Sequence, residues 1–308
     1  MKQRAEPCVG AIEAGGTHYK CALGTADGQI LRSATFATTG PDATVGQAID
    51  FFAAHGSELG ALCVAHFGPV DIDRGSPRYG QVLETPKPGW AGLDVLGRYG
   101  AALGVPTVLQ SDVNAAAVGE GALGAAQGLR DFVYVTIGTG IGGGVMIDGR
   151  LLNDGRHPEL GHMHVGRLPD DPFPGCCPFH GDCLEGLAAG PALRARWHRG
   201  GEDLPPDHPA WDMQARYLAR MCMNLALCYA PQRIILGGGV MQPKGLLERI
   251  RSRFAEAMNG YMCPAGALED FICASPMNGE AAIRGALILA GRALPPAPAR
   301  AILGTATP

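Results

Sequence analysis

Four residues, His162, Cys177, His180 and Cys183, follow the spacing H-x14-C-x2-H-x2-C. Two imidazole nitrogens and two sulfurs suit a tetrahedral zinc ion, and a closed set of four protein ligands argues for a structural metal rather than an open catalytic one. Cys176 adjoins Cys177, so the identity of one thiolate stays open, while His157 and His164 fall outside the spacing. The surrounding stretch, 153–185, has little periodicity and much Pro, Gly, His and Cys, the mark of a long functional loop. Bound zinc would order this loop, which otherwise lacks a core, and would fix the adjoining acids Glu159 and Glu185. Chance clustering of His and Cys in a loop is the competing reading.

Three glycine-rich segments carry a second kind of chemistry. In EAGGTH (13–18), Gly15 and Gly16 let backbone N–H groups face a phosphate. Thr17 adds a hydroxyl there, and Glu13 places a carboxylate where magnesium could bridge phosphate oxygens. GTGIGGG (138–144) repeats this without the acid, through Gly138, Thr139, Gly140 and Gly142. Two matching turns predict opposite walls of one phosphate site; the plainer reading of each is a tight β-turn. ILGGGV (235–240) ends an apolar run in Gly237, Gly238 and Gly239, where exposed backbone can lie flat against a base or ribose, or simply make a strand-to-helix turn. In SDVNAAA (111–117), Asp112 follows a short strand and precedes a small-residue helix. It suits the base that accepts a hydroxyl proton in phosphoryl transfer, or else is a helix N-cap.

The elements that position these residues alternate between strand and helix. Strands are predicted at Cys8–Ala14, Tyr19–Gly24 and Ile30–Phe36 as an antiparallel meander, followed by a helix over 42–55 and a strand over 62–67. A helix near 93–103, a strand over 107–110 and a helix over 113–123 come next. The pattern then restarts with strands at 132–137 and 144–147 around the GTGIGGG turn and a third from Arg150, so two similar halves are implied. Helices follow at 191–198, 212–229, 245–258 and 279–293, with a buried strand at 234–236 and a last short strand at 271–274. The tail from Leu294 reads as a disordered terminus. Such alternation is α/β, with ligands at the carboxyl ends of strands. No GxxxxGK[ST] occurs, and GTGIGGG leads into a strand where a dinucleotide fingerprint needs a helix.

Composition narrows the partners. The chain has 308 residues, 46% hydrophobic and 18% charged, with a formal net charge of −4. That length suits two lobes and a cleft, and the charge disfavours nucleic acid and anionic membrane partners. The start has no signal-peptide core and no stretch reaches membrane-spanning length, so a cytoplasmic location is expected. Six of the ten cysteines, Cys8, Cys21, Cys63, Cys222, Cys228 and Cys273, sit among apolar or small residues and read as buried, inert thiols.

Taken in order, EAGGT, SDVNAA, GTGIGGG, HPELGH with CCPFHGDC, and ILGGGV resemble the ROK family of bacterial sugar kinases. The resemblance extends to its zinc-dependent fructokinases through FGPVD (67–71), TPKPGW (85–90) and CPFHGDCLEGLAAGP (177–191). It spans about residues 8 to 292. It implies a two-lobed hexokinase/actin-like ATPase (ribonuclease H-like) fold with a zinc-binding loop, the smaller lobe being 1–111 plus 280–308 and the larger 112–279. It also implies Asp112 as general base and the sugar-contacting set Glu159, His162 and Glu185, with His162 serving both zinc and sugar. Gly15, Gly16 and Thr17, then Gly138, Thr139, Gly140 and Gly142, would be its phosphate motifs, and Gly237, Gly238 and Gly239 its adenosine motif. ATP, Mg²⁺ and Zn²⁺ are the implied cofactors, a free hexose the substrate, and a homodimer the implied assembly.

Three positions depart from the common pattern: His18 where lysine is frequent, Ser111 in place of Asn, and Glu13 in place of Asp. The last two fit fructokinase-like rather than glucose-type members, so D-fructose to fructose 6-phosphate is the leading expectation. A broad manno/glucokinase is the alternative enzyme. A sugar-responsive regulator of the same family would carry a DNA-binding module before the first strand, where only seven residues precede Cys8.

Overall fold

The computed structural model describes residues 8–55, 59–85, 87–152, 158–261, 264 and 266–295. The expected disordered tail, from Pro296 on, and His157 lie outside the described residues. Strand β1 (Cys8–Ala14) is an apolar run buried along most of its length, as a strand must be when it has neighbours on both edges and helices on its faces. It pairs antiparallel with β2 (His18–Gly24), and β2 with β3 (Ile30–Ala37), completing the meander. Helix α1 (Pro41–Ala53) crosses to β4 (Leu59–His66), parallel to β1, and α2 (Val95–Leu103) leads to β5 (Thr107–Ser111), parallel to β4. Helix α3 (Asp112–Leu123) follows without a loop.

The second half repeats this walk. Strands β6 (Phe132–Ile137), β7 (Ile141–Ile147) and β8 (Arg150–Leu151) form a meander. After the His/Cys-rich stretch come α4 (Leu184–Ala188), α5 (Gly190–Trp197) and the long α6 (Ala210–Tyr229), then β9 (Arg233–Gly237), parallel to β6. Helices α7 (Leu246–Met258) and α8 (Leu268–Phe271) precede β10 (Ile272–Ala274), and α9 (Ala281–Arg292) closes the described chain. The strand orders are β3-β2-β1-β4-β5 and β10-β9-β6-β7-β8, so each sheet is a three-strand meander extended by two parallel strands.

Helices α3 and α9 join the halves. Ala115 packs with Ile283, Ala286 and Leu287 against the first sheet, while Ala116 and Ala117 pack on Phe132, Tyr134 and Met146 of the second. Residues 113–120 of α3 are buried all round, which explains why its sequence is mostly small and apolar; its buried polar side chains, Asn114 and Glu120, bond to Gln110 and to Ala125 N and Ser275. The helices cross so closely that a Cβ on Gly285 would lie 1.7 Å from the carbonyl oxygen of Ala115.

Four expectations need correction. GTGIGGG is not a turn throughout: the turn is Gly138–Gly140, and Gly142, Gly143 and Gly144 lie in β7. They are glycines there because α3 and the 160–162 segment press on the strand; a Cβ on Gly144 would meet Val113 O at 2.4 Å and one on Gly143 the Leu160 side chain at 2.5 Å. Asp112 is not the cap of α3 but its first residue, and Ser111 is the N-cap, its hydroxyl accepting from Asn114 N. Of the six thiols expected to be buried, Cys228 is exposed near the C-terminus of α6 and Cys8 and Cys273 are half-buried; only Cys21, Cys63 and Cys222 of that set are buried. Finally, the 153–185 stretch does not lack a core, because Val165 and Leu168 join the main apolar cluster of the second half.

Candidate active site

Local structure brings the His/Cys set together. Residues 177–181 fold into a tight hairpin, Cys177 N donating to Gly181 O and Gly181 N to Cys177 O at 3.1 and 3.0 Å. This hairpin presents Cys177 and His180, the next turn presents Cys183, and a short 3-10 segment (Leu160–His162) presents His162. All four ligand atoms lie within 4.8 Å of one another. His162 Nδ1 is 3.3 Å from His180 Nδ1, 3.7 Å from Cys177 Sγ and 3.5 Å from Cys183 Sγ. A tetrahedron built with ordinary zinc bonds has N···N edges of roughly 3.3 Å and N···S edges of roughly 3.6 Å, so the set fits such an ion. Cys176 is exposed and stands outside the cluster, and His164 faces Asp182 at 3.9 Å instead.

The other nitrogen of His162 points away from the cluster. His162 Nε2 lies 3.9 Å from Glu185 Oε1, and Glu185 Oε2 accepts from Ile141 N at 2.9 Å. Glu185 therefore links the His/Cys cluster to the Gly138–Gly140 turn. That turn is held at a second point by Gly190 N, which donates to Gly138 O at 2.8 Å. Glu159, of the same expected sugar set, is exposed and starts the 160–162 segment, its carbonyl accepting from His162 N.

Beyond the cluster, the loop is anchored by a buried ion pair. Arg196 of α5 grips Asp171 through Nη2–Oδ2 at 2.9 Å and Nε–Oδ1 at 3.3 Å, and the Tyr217 hydroxyl donates to Asp171 Oδ2 at 2.6 Å. Burial works to raise the Asp171 carboxyl, but the bonds from Tyr217, Phe173 N and Arg196 outweigh it and hold the group below the usual carboxylate range.

Two cavities meet at Gly238–Gly239. The larger, about 910 Å³, is lined by Gly138, Thr139, Gly190, Pro191, Trp211, Gly239 and Val240, a size that suits a nucleotide. The smaller, about 220 Å³, lies between the halves and gathers Glu13, Lys20, Asp112, Tyr134, Thr136 and Gly238. Gly238 has φ +92° and a Cβ there would lie 2.3 Å from Ile137 O, so the chain can pass between the cavities only as glycine. Gly237 closes against the Tyr134 hydroxyl. Asp112 sits half-buried on the first turn of α3, its Oδ1 accepting from Val113 N at 2.8 Å.

Glu13 pairs with Lys20 at 3.2 Å, and burial raises its carboxyl against the pull of that lysine. Gly16 and Thr17, by contrast, form the exposed tip of the β1–β2 hairpin, outside both cavities. Sequence reasoning passed over Lys20, Tyr134 and Thr136. Lys20 was within reach of it, because a hairpin turning at Gly15–Thr17 pairs Glu13 with Lys20; Tyr134 and Thr136 read only as strand residues.

A profile described as the ROK family matches residues 9–293. This chain belongs to the ROK family. A fructokinase of Pediococcus pentosaceus is 42% identical to it over 286 residues, covering 93% of this chain and 98% of that one. A fructokinase of Streptococcus mutans is 40% identical, covering 91% and 96%. Among solved structures, a ROK hexokinase from Thermus thermophilus superposes with a TM-score of 0.74 at 27% identity, covering 92% of this chain and 97% of that one. A ROK family glucokinase from Streptomyces griseus, in complex with glucose and AMPPNP, also gives 0.74, at 26% identity, covering 92% and 99%. The two sheets are thus those of the actin-like ATPase fold found in ROK sugar kinases.

Proposed function

We propose that this ROK chain is a fructokinase, transferring the γ-phosphoryl group of ATP to the 6-hydroxyl of D-fructose. One observation carries the reading: Asp112 stands at the head of α3 inside the cavity between two matching halves, beside strands whose next residues are the glycine turns. Fructokinases 40–42% identical over nearly the whole chain support the choice of sugar.

ATP lies with its base and ribose in the larger cavity, against Gly239 and Val240, and its phosphates toward Gly138, Thr139 and the tip Gly15–Gly16–Thr17. Asp112 accepts the proton of the attacking hydroxyl as the phosphoryl group leaves ADP. Glu159, His162 and Glu185 orient the sugar. Glu13 and Asp112, two carboxylates in one cavity, fit a hard oxygen-seeking cation, and magnesium there would neutralise phosphate charge. Zinc on His162, Cys177, His180 and Cys183 would supply rigidity, not reaction chemistry. Closure of the smaller lobe (1–111 with 280–308) on the larger (112–279) excludes water from the transfer. The working form is proposed to be a cytoplasmic homodimer, on the strength of the family resemblance; the nine described cysteines are unpaired, as suits a reducing compartment.

An ADP-release assay over fructose, mannose and glucose, with and without a zinc chelator, tests this. The highest kcat/KM is expected on fructose. ADP release on mannose or glucose alone would replace the substrate, and none on any hexose would sink the kinase reading.

A further inference from the structure

The tip of the β1–β2 hairpin needs a cation if a phosphoryl group is to move past it, and nearby candidates in the chain are poorly placed. His18 is exposed at the start of β2. Lys20 is committed, its ammonium shared between both oxygens of Glu13 at 3.2 and 3.3 Å and the carbonyl of Gly279 at 3.1 Å.

The cation at the tip comes from far along the chain. Lys87 Nζ donates to the carbonyl of Gly16 across a sequence separation of 71 residues. The loop that carries it is fixed, because Trp90 is fully buried, packs on Tyr19, His66 and Phe67, and donates from Nε1 to Thr39 O at 3.0 Å. Trp90 N in turn closes a turn onto Lys87 O. The glycine tip is tied to the same short segment, with Thr38 Oγ1 donating to Gly15 O at 2.7 Å and Thr38 N to Thr17 O at 2.9 Å. Lysine and turn therefore share one frame at Thr38–Thr39. An ammonium has three donors, and Gly16 O takes one, leaving two for an incoming phosphate.

We propose that Lys87 is a catalytic residue whose ammonium binds the γ-phosphoryl oxygens at the Gly15–Thr17 turn and stabilises their charge during transfer. This rests on the kinase reading above. The bond from γ-phosphorus to the ADP oxygen breaks as the bond to the hexose hydroxyl oxygen forms; the hydroxyl proton passes to Asp112, and Lys87 keeps its proton throughout. A charge that strengthens on the transition state should act on kcat more than on sugar binding.

Steady-state kinetics of the full chain on fructose and ATP·Mg²⁺ test the idea, alongside thermal unfolding as a check on folding. Lys87→Met is expected to lower kcat roughly 10²- to 10³-fold while KM for fructose changes less than about threefold. Lys87→Arg, which keeps the charge in another shape, should recover at least about tenfold of that loss. Calorimetric titration gives an independent readout: Lys87→Met should weaken a non-hydrolysable ATP analogue and leave AMP binding unchanged. An unchanged kcat, or a raised KM for fructose with kcat intact, would overturn the assignment, as would equal weakening of the analogue and AMP. Failure of the unaltered chain to phosphorylate any hexose would be a different result, removing the kinase reading itself.

Discussion

The β1–β2 and β6–β7 turns join corresponding strands of two sheets with the same order, but their surroundings differ. The second is clamped from both sides, by Glu185 on Ile141 N and by Gly190 N on Gly138 O, and the clamp leads directly to the His/Cys cluster. The first is an exposed tip tied to Thr38 and touched by Lys87. Equivalent turns are thus held by interior hydrogen bonds in one half and left as an exposed tip in the other. The 158–185 stretch supplies the difference: its Glu185 holds Ile141 N and lies beside His162 of the His/Cys cluster, and the first half has no such cluster among the described residues.

The largest expected effect tests whether the reacting centre lies between the halves at all. Asp112→Asn should lower kcat by a factor on the order of 10²–10⁴ with folding preserved; unchanged turnover would take Asp112 out of the role. Next, the insertion's own anchor can be cut. Asp171→Asn leaves Arg196 buried without its partner, and loss of one member of such a pair costs about 3–5 kcal/mol. Denaturant unfolding checks this, and a loss under about 1 kcal/mol would mean that the ion pair does not hold the second half.

The halves should also differ in their response to acid. In the first half His66 is fully buried; its Nδ1–H donates to Phe67 O at 2.9 Å, and its Nε2 has no hydrogen-bond partner among the described residues. Burial pulls its pKa from 6.5 down to about 4. The unfolded chain takes up a proton below about 6.5 that the folded chain refuses until about 4, so stability should fall across that window by about 3 kcal/mol. His66→Gln should flatten that part of the pH profile; an identical profile would contradict the assignment. Asp171 behaves differently, because its lowered pKa contributes stability that is present above the ordinary carboxylate range and lost only at more acid pH.

The mildest test strips the proposed zinc from the His/Cys cluster. Treating the full chain with a zinc chelator should speed amide exchange at Ile141 about tenfold or more by loosening the His162–Glu185 link, with β1–β2 amides unchanged. Equal change in both hairpins would erase the contrast between the turns.

Much of this architecture was legible beforehand because local chemistry announces it. Glycine pairs ending apolar runs located strand ends, alternation gave the α/β class, and H-x14-C-x2-H-x2-C picked out four residues that do converge. What failed did so where long-range packing decides. Gly142–Gly144 look like turn residues, yet their lack of side chains serves the approach of α3 and Leu160 to a strand. Cys228 looks apolar in context, yet lies on the outer face of α6. Lys87 had no signal at all, since nothing in TPKPGW tells where its ammonium will end.

The amino-acid sequence determined the strands, the repeat and the ligand types, because backbone freedom, side-chain period and donor chemistry are properties of neighbouring residues. Tertiary structure alone decided which distant groups meet: Lys87 on Gly16 within the first half, Glu185 on Ile141 within the second, and Asp112 in a cavity with Glu13 between them. Those meetings depend on how the Trp90 loop packs, on how the 158–185 stretch packs and on how α3 and α9 cross, which is fixed by shape complementarity between distant surfaces.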